Sequence, residues 1–242
     1  MAQSAVVLFD LDGTLTDPKE GITRSIAYAL ERMARVVPDI DALRFAIGPP
    51  LRDSFATLLD TSDAQAIELA MLHYRERFSS IGLFENAVYP GIPETLLAMK
   101  SAGCKIVLAT AKPHVYAKRI LEHFELSAAF DAVYGCELDG TRQHKTDLIA
   151  YLLKHEQIDP AVRPTVMIGD RVHDIAAAHA NGCQAIGVTW GYGSASELRD
   201  ANLIAHQPAD LAKLFCDKLF AHRLSASNAR ASGNRTDSAH CL

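Results

Sequence analysis

The stretch FDLDGTLTD, residues 9–17, ends an apolar run with two aspartates two positions apart and then a glycine. Strand side chains at i and i+2 face the same side, so Asp10 and Asp12 can point into one crevice. Gly13 permits the tight turn that stops the strand there. Such a pair can hold a hard cation, act as nucleophile and acid, or merely form a turn. A calcium-binding EF-hand loop also opens with D-x-D, but it needs glycine at its sixth position and glutamate at its twelfth. Counted from Asp10, those positions hold Leu15 and Gly21, which excludes that reading.

A second acidic pair lies in VMIGDRVHD, where Asp170 closes an apolar run and Asp174 falls in the first turn of a helical pattern. Acidic residues are also favoured at helix N-termini, so capping explains this pair equally well taken alone. IVLATAKP ends another apolar run at Thr110, followed by Ala111 and Lys112, and Lys145 opens a helical pattern with the apolar face Leu148, Ile149, Leu152 and Leu153. Thr110 could be an N-cap and Lys145 an ordinary surface lysine. Placement favours more, because ligands of open α/β sheets bind beyond the carboxyl ends of the strands. Asp10, Thr110 and Asp170 occupy three such ends, and Lys145 can reach the same crevice.

The elements that must position these groups are legible. Short apolar runs at 5–9, 105–109, 132–134, 165–168 and 185–189 show little alternation, as strands buried on both faces do. Helical patterns at 92–102, 114–124, 145–155 and 172–181 separate them, and this alternation predicts an α/β fold with a doubly wound, mainly parallel sheet. Between Asp17 and Val88 the pattern changes to helices alone. Ile22, Ile26, Ala29, Leu30 and Met33 make one apolar stripe, and Ile67, Ala70, Met71, Tyr74 and Phe78 make another. The consecutive prolines of GPPLRDSF break the helices between them. The expected division is a core of residues 1–17 and 89–220, an inserted all-helical cap of residues 18–88 joined by turns at 17–20 and 85–90, and a disordered polar tail at 221–242.

The 242-residue chain carries 24 basic and 29 acidic residues, a net charge of -5 that disfavours wholesale nucleic-acid binding. Five scattered cysteines without C-x-x-C spacing argue against a disulfide framework or zinc ribbon and for a reducing compartment. The start of the chain has no secretory pattern, and no apolar run approaches the ~20 residues of a membrane span. A cytoplasmic protein is expected. The ten histidines show no clustered ligand spacing, and GYGS at 191–194 lacks the G-x-G-x-x-G of a dinucleotide loop.

Taken together, DLDGTLTD, Thr110, Lys145 and GDRVHD, in that order and with a helical insert after the first, resemble the haloacid dehalogenase superfamily of phosphohydrolases. The insert position resembles the branch whose cap lies between the first two motifs on a Rossmann-like core. DPKEGITRSIAYAL, GPPLRDSF, LFENAVYPGI, KPHVYAKRILEHF and ELDGTR are similar to a bacterial group named as phosphoglycolate phosphatases or 5′-nucleotidases. Arg171 departs from the pattern, since many relatives have a small residue there.

The resemblance implies that Asp10 is a nucleophile forming an aspartyl-phosphate, and that Asp12 is a general acid and then base. It implies Mg²⁺ held by the Asp10 carboxylate, the Asp12 main-chain carbonyl and the Asp170 carboxylate, with Asp174 supporting directly or through water. Lys145 would screen Asp10, and Thr110 with the backbone around Ala111 and Lys112 would hold phosphate oxygens. The insert would choose the leaving group. Arg24, Arg52 and Lys19 are its candidate cations, and Tyr28, Phe55 and Tyr74 are candidate walls that helix packing explains equally well. The expected substrate is a small phosphorylated metabolite, phosphoglycolate or a nucleoside 5′-monophosphate. A phosphomutase and a non-catalytic phospho-ligand binder are the alternatives, and oligomeric state is left undetermined.

Overall fold

Four buried apolar residues, Val6–Phe9, form β1 at the middle of a parallel sheet in the computed structural model, which describes residues 4–216. The tail expected at 221–242, and residues 217–220 of the expected core, lie outside the described residues. After β1 come β2 (Thr16–Asp17), α1 (Lys19–Arg32), a 3-10 turn (Ile40–Ala46), α2 (Leu51–Leu59), α3 (Ala64–Arg77), a π turn (Phe78–Gly82) and β3 (Ala87–Val88). The chain continues through α4 (Ile92–Ser101), β4 (Lys105–Pro113), α5 (His114–His123), β5 (Ala132–Cys136), α6 (Lys145–His155), β6 (Thr165–Gly169) and α7 (Val172–Ala180). It ends in β7 (Gln184–Val188), α8 (Ala195–Leu198), β8 (Leu203–Ala205) and α9 (Pro208–Cys216).

The sheet runs β5-β4-β1-β6-β7-β8, with every neighbouring pair parallel. Period-two alternation sends its side chains into two cores. Val7, Phe9, Ile106, Leu108, Val166 and Ile168 pack on one face, and Val6, Leu8, Val107, Ala109 and Met167 on the other. Because both faces are buried, β1, β6 and the middle of β4 read as nearly continuous apolar runs. Phe9 pairs with Leu108 on one side and Ile168 on the other, so the register alone brings the residues after β1, β4 and β6 to one edge. The chain leaves β1 towards β4 and β5 and returns on the other side at β6. This reversal opens a crevice at the carboxyl ends.

Between β2 and β3 the chain is helical, as its stripes predict: Ile26, Leu30, Phe55, Ala70, Met71, Tyr74 and Phe78 are all buried. Its two connections are not simple turns. Thr16 pairs with Val88 and Asp17 with Ala87 in a two-stranded antiparallel ribbon. Two residues per strand are too few to show any periodicity. The edge strand β8 and helix α9 lie outside the elements that the sequence pattern predicts.

Candidate active site

The turn after β1 buries Asp10 and Asp12, which are 2% and 7% exposed. Gly13 holds φ +85, where L side chains are strained, and a Cβ there would lie 2.4 Å from Asp170 Oδ2. The glycine thus permits both the turn and the approach of the second acidic motif. Asp170, at the end of β6, is fully buried, and Asp174 is 1% exposed in the first turn of α7. Asp10, Asp170 and Asp174 each offer an oxygen, all within 4.8 Å of one another. Lys145, the first residue of α6, donates to Asp10 Oδ1 at 2.8 Å and also to Asp174 Oδ1. Lys112 lies 2.8 Å from Asp12 Oδ2, with its ammonium 4.6 Å from the Phe78 ring centroid.

Four buried carboxylates therefore face two ammonium groups, and full ionisation leaves an excess of two negative charges. The titration behaviour reflects this. Burial, then repulsion from Asp174 and Asp10, pushes the Asp170 carboxyl up to about 8. Burial also raises the Asp174 carboxyl, against the attraction of Lys145. Asp12 is raised by burial, with Lys112 opposing. Burial works against the Lys145 ammonium, but Asp10 and Asp174 outweigh it and hold its pKa above the usual lysine value. An unmet excess of carboxylate oxygen, hard and closely grouped, fits a hard divalent cation. Asp12 Oδ1, buried with no hydrogen-bond partner, is the further polar atom this arrangement leaves unused.

A cleft lined by both Asp10 and Asp12 opens beside these acids. Asp10, Asp12, Thr110, Ala111 and Lys112 line it, together with the apolar and aromatic residues Ile22, Met71, Tyr74, Phe78 and Tyr116. Thr110 is a strand residue rather than an N-cap; its Oγ1 accepts from the Lys112 N–H at 3.2 Å. Arg52 and Arg75 also line the cleft. Arg52 pairs with Glu68, and Arg75 donates to the Leu138 main-chain oxygen at 2.5 Å.

The other expected cations are not brought here. Arg24 sits outside the cleft on α1, 2.6 Å from Glu20 and 3.1 Å from Glu85, and Lys19 is 2.5 Å from Asp41. Both belong to helix-surface ion networks near the β2–β3 ribbon. Among the expected aromatic walls only Tyr74 lines the cleft; Phe55 is buried edge-on against it, and Tyr28 donates outward to Glu76. Sequence reasoning missed the part played by the GYGS loop. The Tyr192 N–H donates to Asp170 Oδ2 at 2.7 Å, fixing a carboxylate 22 residues away. It also missed Arg75 and Tyr116, which carry no local signal because helix-face orientation alone selects them.

Residues 7–188 match the family model of the haloacid dehalogenase-like hydrolases. The chain belongs to this family, and its catalytic class is that of the family's phosphatases. A 5′-nucleotidase of Pseudomonas aeruginosa is 50% identical over 212 residues, covering 86% of this chain and 92% of that one. The tyrosine-protein kinase PtkA of Mycobacterium tuberculosis is 37% identical over 190 residues, 78% of this chain and 64% of that protein. Among solved structures, a "predicted phosphatase from Clostridium acetobutylicum" superposes with a TM-score of 0.83 at 42% identity, covering 88% of this chain and 98% of that one. No helix among the described residues is long and apolar enough to cross a membrane.

Proposed function

We propose that the protein is a Mg²⁺-dependent phosphomonoesterase working through an aspartyl-phosphate, with a nucleoside 5′-monophosphate as substrate. The observation that carries this reading is the buried Asp10–Asp12–Asp170–Asp174–Lys145 group, of which Asp10 and Asp12 line a cleft that also has aromatic walls. Asp10, Asp170, Asp174 and the Asp12 main-chain carbonyl would hold the ion, which supplies charge neutralisation for an incoming phosphate dianion.

The chain's own residues account for the remaining steps. Lys145 orients and screens Asp10, so that one Asp10 oxygen can attack phosphorus. The bond from phosphorus to the ester oxygen breaks as Asp12 gives that oxygen its proton. Burial keeps Asp12 protonated more readily than a surface aspartate, as this step needs. Water then attacks the acyl phosphate, Asp12 takes the water's proton, and the Asp10 carboxylate is regenerated with release of inorganic phosphate. Thr110 and the main chain of Ala111 and Lys112 would hold the phosphoryl oxygens. Residues 18–88 serve as the cap that covers this chemistry.

The cleft supports a nucleoside over glycolate as leaving group. Part of its lining is apolar and aromatic, with Tyr74 stacked on Phe78 at 4.9 Å, which suits a flat base. A two-carbon acid would want a cation for its carboxylate, whereas Lys112 is committed to Asp12, Arg52 to Glu68 and Arg75 to the Leu138 main-chain oxygen. A cytoplasmic setting agrees with the scattered cysteine pattern. The test is turnover of p-nitrophenyl phosphate with and without Mg²⁺ by the wild type and by Asp10→Asn, followed by kcat/KM for nucleotides against phosphoglycolate. Full turnover by folded Asp10→Asn would end the nucleophile assignment, and a preference for phosphoglycolate would end the nucleotide assignment.

A further inference from the structure

Arg171 sits between Asp170 and Asp174 but does not line the cleft, and the proposed reaction gives it no task. Its contacts point in three directions. Its main-chain N–H donates to Asp174 Oδ2 at 3.0 Å, its Nε donates to Glu197 Oε2 at 2.9 Å, and its Nη1 donates to the Ile47 main-chain oxygen at 2.5 Å. Ile47 leads directly into Gly48, Pro49, Pro50, Leu51 and Arg52, all of which line the cleft. Gly48 holds φ +101, and a Cβ there would stand 3.0 Å from Arg171 Cγ, so the side-chain stem packs against this roof as well. Two successive prolines restrict φ and stiffen the segment. The Arg171 side chain is only 13% exposed, so these bonds are better shielded than those of a surface ion pair.

We propose that Arg171 is a positioning residue that ties the 47–52 roof to the loop carrying Asp170 and Asp174, so that lowering the roof and aligning the acids are one event. The proposal rests on the phosphatase reading above. The guanidinium fork suits the task because it can hold Glu197 and the Ile47 carbonyl together, whereas a lysine ammonium lacks that fixed fork. The tie acts between segments 124 residues apart in sequence, and it acts through Asp170 and Asp174 rather than on substrate.

The experiment compares wild type, Arg171→Met, Arg171→Lys and the exposed control Arg199→Met. It measures kcat and KM for p-nitrophenyl phosphate at saturating Mg²⁺, alongside trypsin cleavage after Arg44 and Arg52 followed by mass spectrometry. A misplacement of about 1 Å costs up to about a hundredfold in rate, so we expect Arg171→Met to lose about tenfold in kcat with KM within about threefold. Cleavage in the roof should accelerate in parallel, the lysine variant should recover only part of either effect, and the control should match wild type. Wild-type kcat in Arg171→Met would overturn the proposal. So would a lowered kcat with unchanged roof cleavage, since the effect would then belong to the acidic loop alone. If Arg171→Met does not fold, Arg171→Lys and Glu197→Gln decide by the same two readouts. A wild type without any turnover would sink the phosphatase reading, and the cleavage comparison would still judge the tie.

Discussion

Replacing Asp170 by asparagine should abolish turnover and yet stabilise the metal-free protein. Asp170 is fully buried, and its carboxyl is pushed to about 8, first by burial and then by Asp174 and Asp10, from a reference of 3.8. Between those two values the folded chain keeps a proton that the unfolded chain has lost. Stability contributed by this group is therefore complete below about pH 4 and falls as the pH rises to about 8. A displacement of about four units corresponds to at most about 5–6 kcal/mol. Asparagine removes that penalty and keeps an acceptor oxygen for the Tyr192 N–H, which lies 2.7 Å from Asp170 Oδ2. Its new amide group must still find acceptors among the neighbouring carboxylates, which offsets part of the gain. We expect a net gain of about 2 kcal/mol at pH 8, or roughly 4–8 °C in Tm for a chain of this size, shrinking towards pH 5. Mg²⁺ at a hundred times its Kd should stabilise the wild type by about 2.7 kcal/mol and the variant by much less. Thermal melts in EDTA and in MgCl2 at both pH values test this. A metal-free variant no more stable than wild type at pH 8, or equal Mg²⁺ shifts in the two proteins, would refute the picture of an acidic cluster held under electrostatic strain.

Two further outcomes follow from other parts of the molecule. Arg77 grips both oxygens of Glu85, at 2.7 and 3.0 Å, and this hydrogen bonding holds the Glu85 carboxyl below its usual 4.5 despite partial burial. A depressed carboxylate contributes stability above its unfolded pKa, so Glu85→Gln should cost about 1 kcal/mol at pH 7, and urea melts should show the difference closing as the pH drops below about 4.5. Tyr74→Leu should raise KM for a nucleoside monophosphate by about fivefold or more, from stacking of about 1–3 kcal/mol, and leave phosphoglycolate hydrolysis little changed. Equal losses on both substrates in steady-state assays would assign Tyr74 to helix packing alone.

How much of this was legible beforehand depended on whether the signal was local. The strand runs, the helical insert and the paired acids of FDLDGTLTD and GDRVHD are written in short windows, because burial on both sheet faces demands unbroken apolar residues and strand ends demand turn formers. Leu203–Ala205 and the ribbon of Thr16–Asp17 with Ala87–Val88 are too short to impose a period, and only pairing to a neighbour makes them strands. The same division holds at the site. Residue type singled out Asp10, Asp12, Thr110, Lys145, Asp170 and Asp174 as candidates, since few structural needs call for that many polar groups at strand ends, and the structure brings Asp10, Asp170, Asp174 and Lys145 together. It could not choose among the cations of the insert. Helix direction turned Arg24 and Lys19 outward to Glu20, Glu85 and Asp41, while Arg52 and Arg75 faced the cleft. Nor could it foresee that the main chain at Tyr192 would hold Asp170, or that Arg171 would reach Ile47. The sequence by itself determined which groups are present and which elements carry them. Only the tertiary structure decided their distances and charge partners, because those depend on how segments far apart in the chain pack against one another.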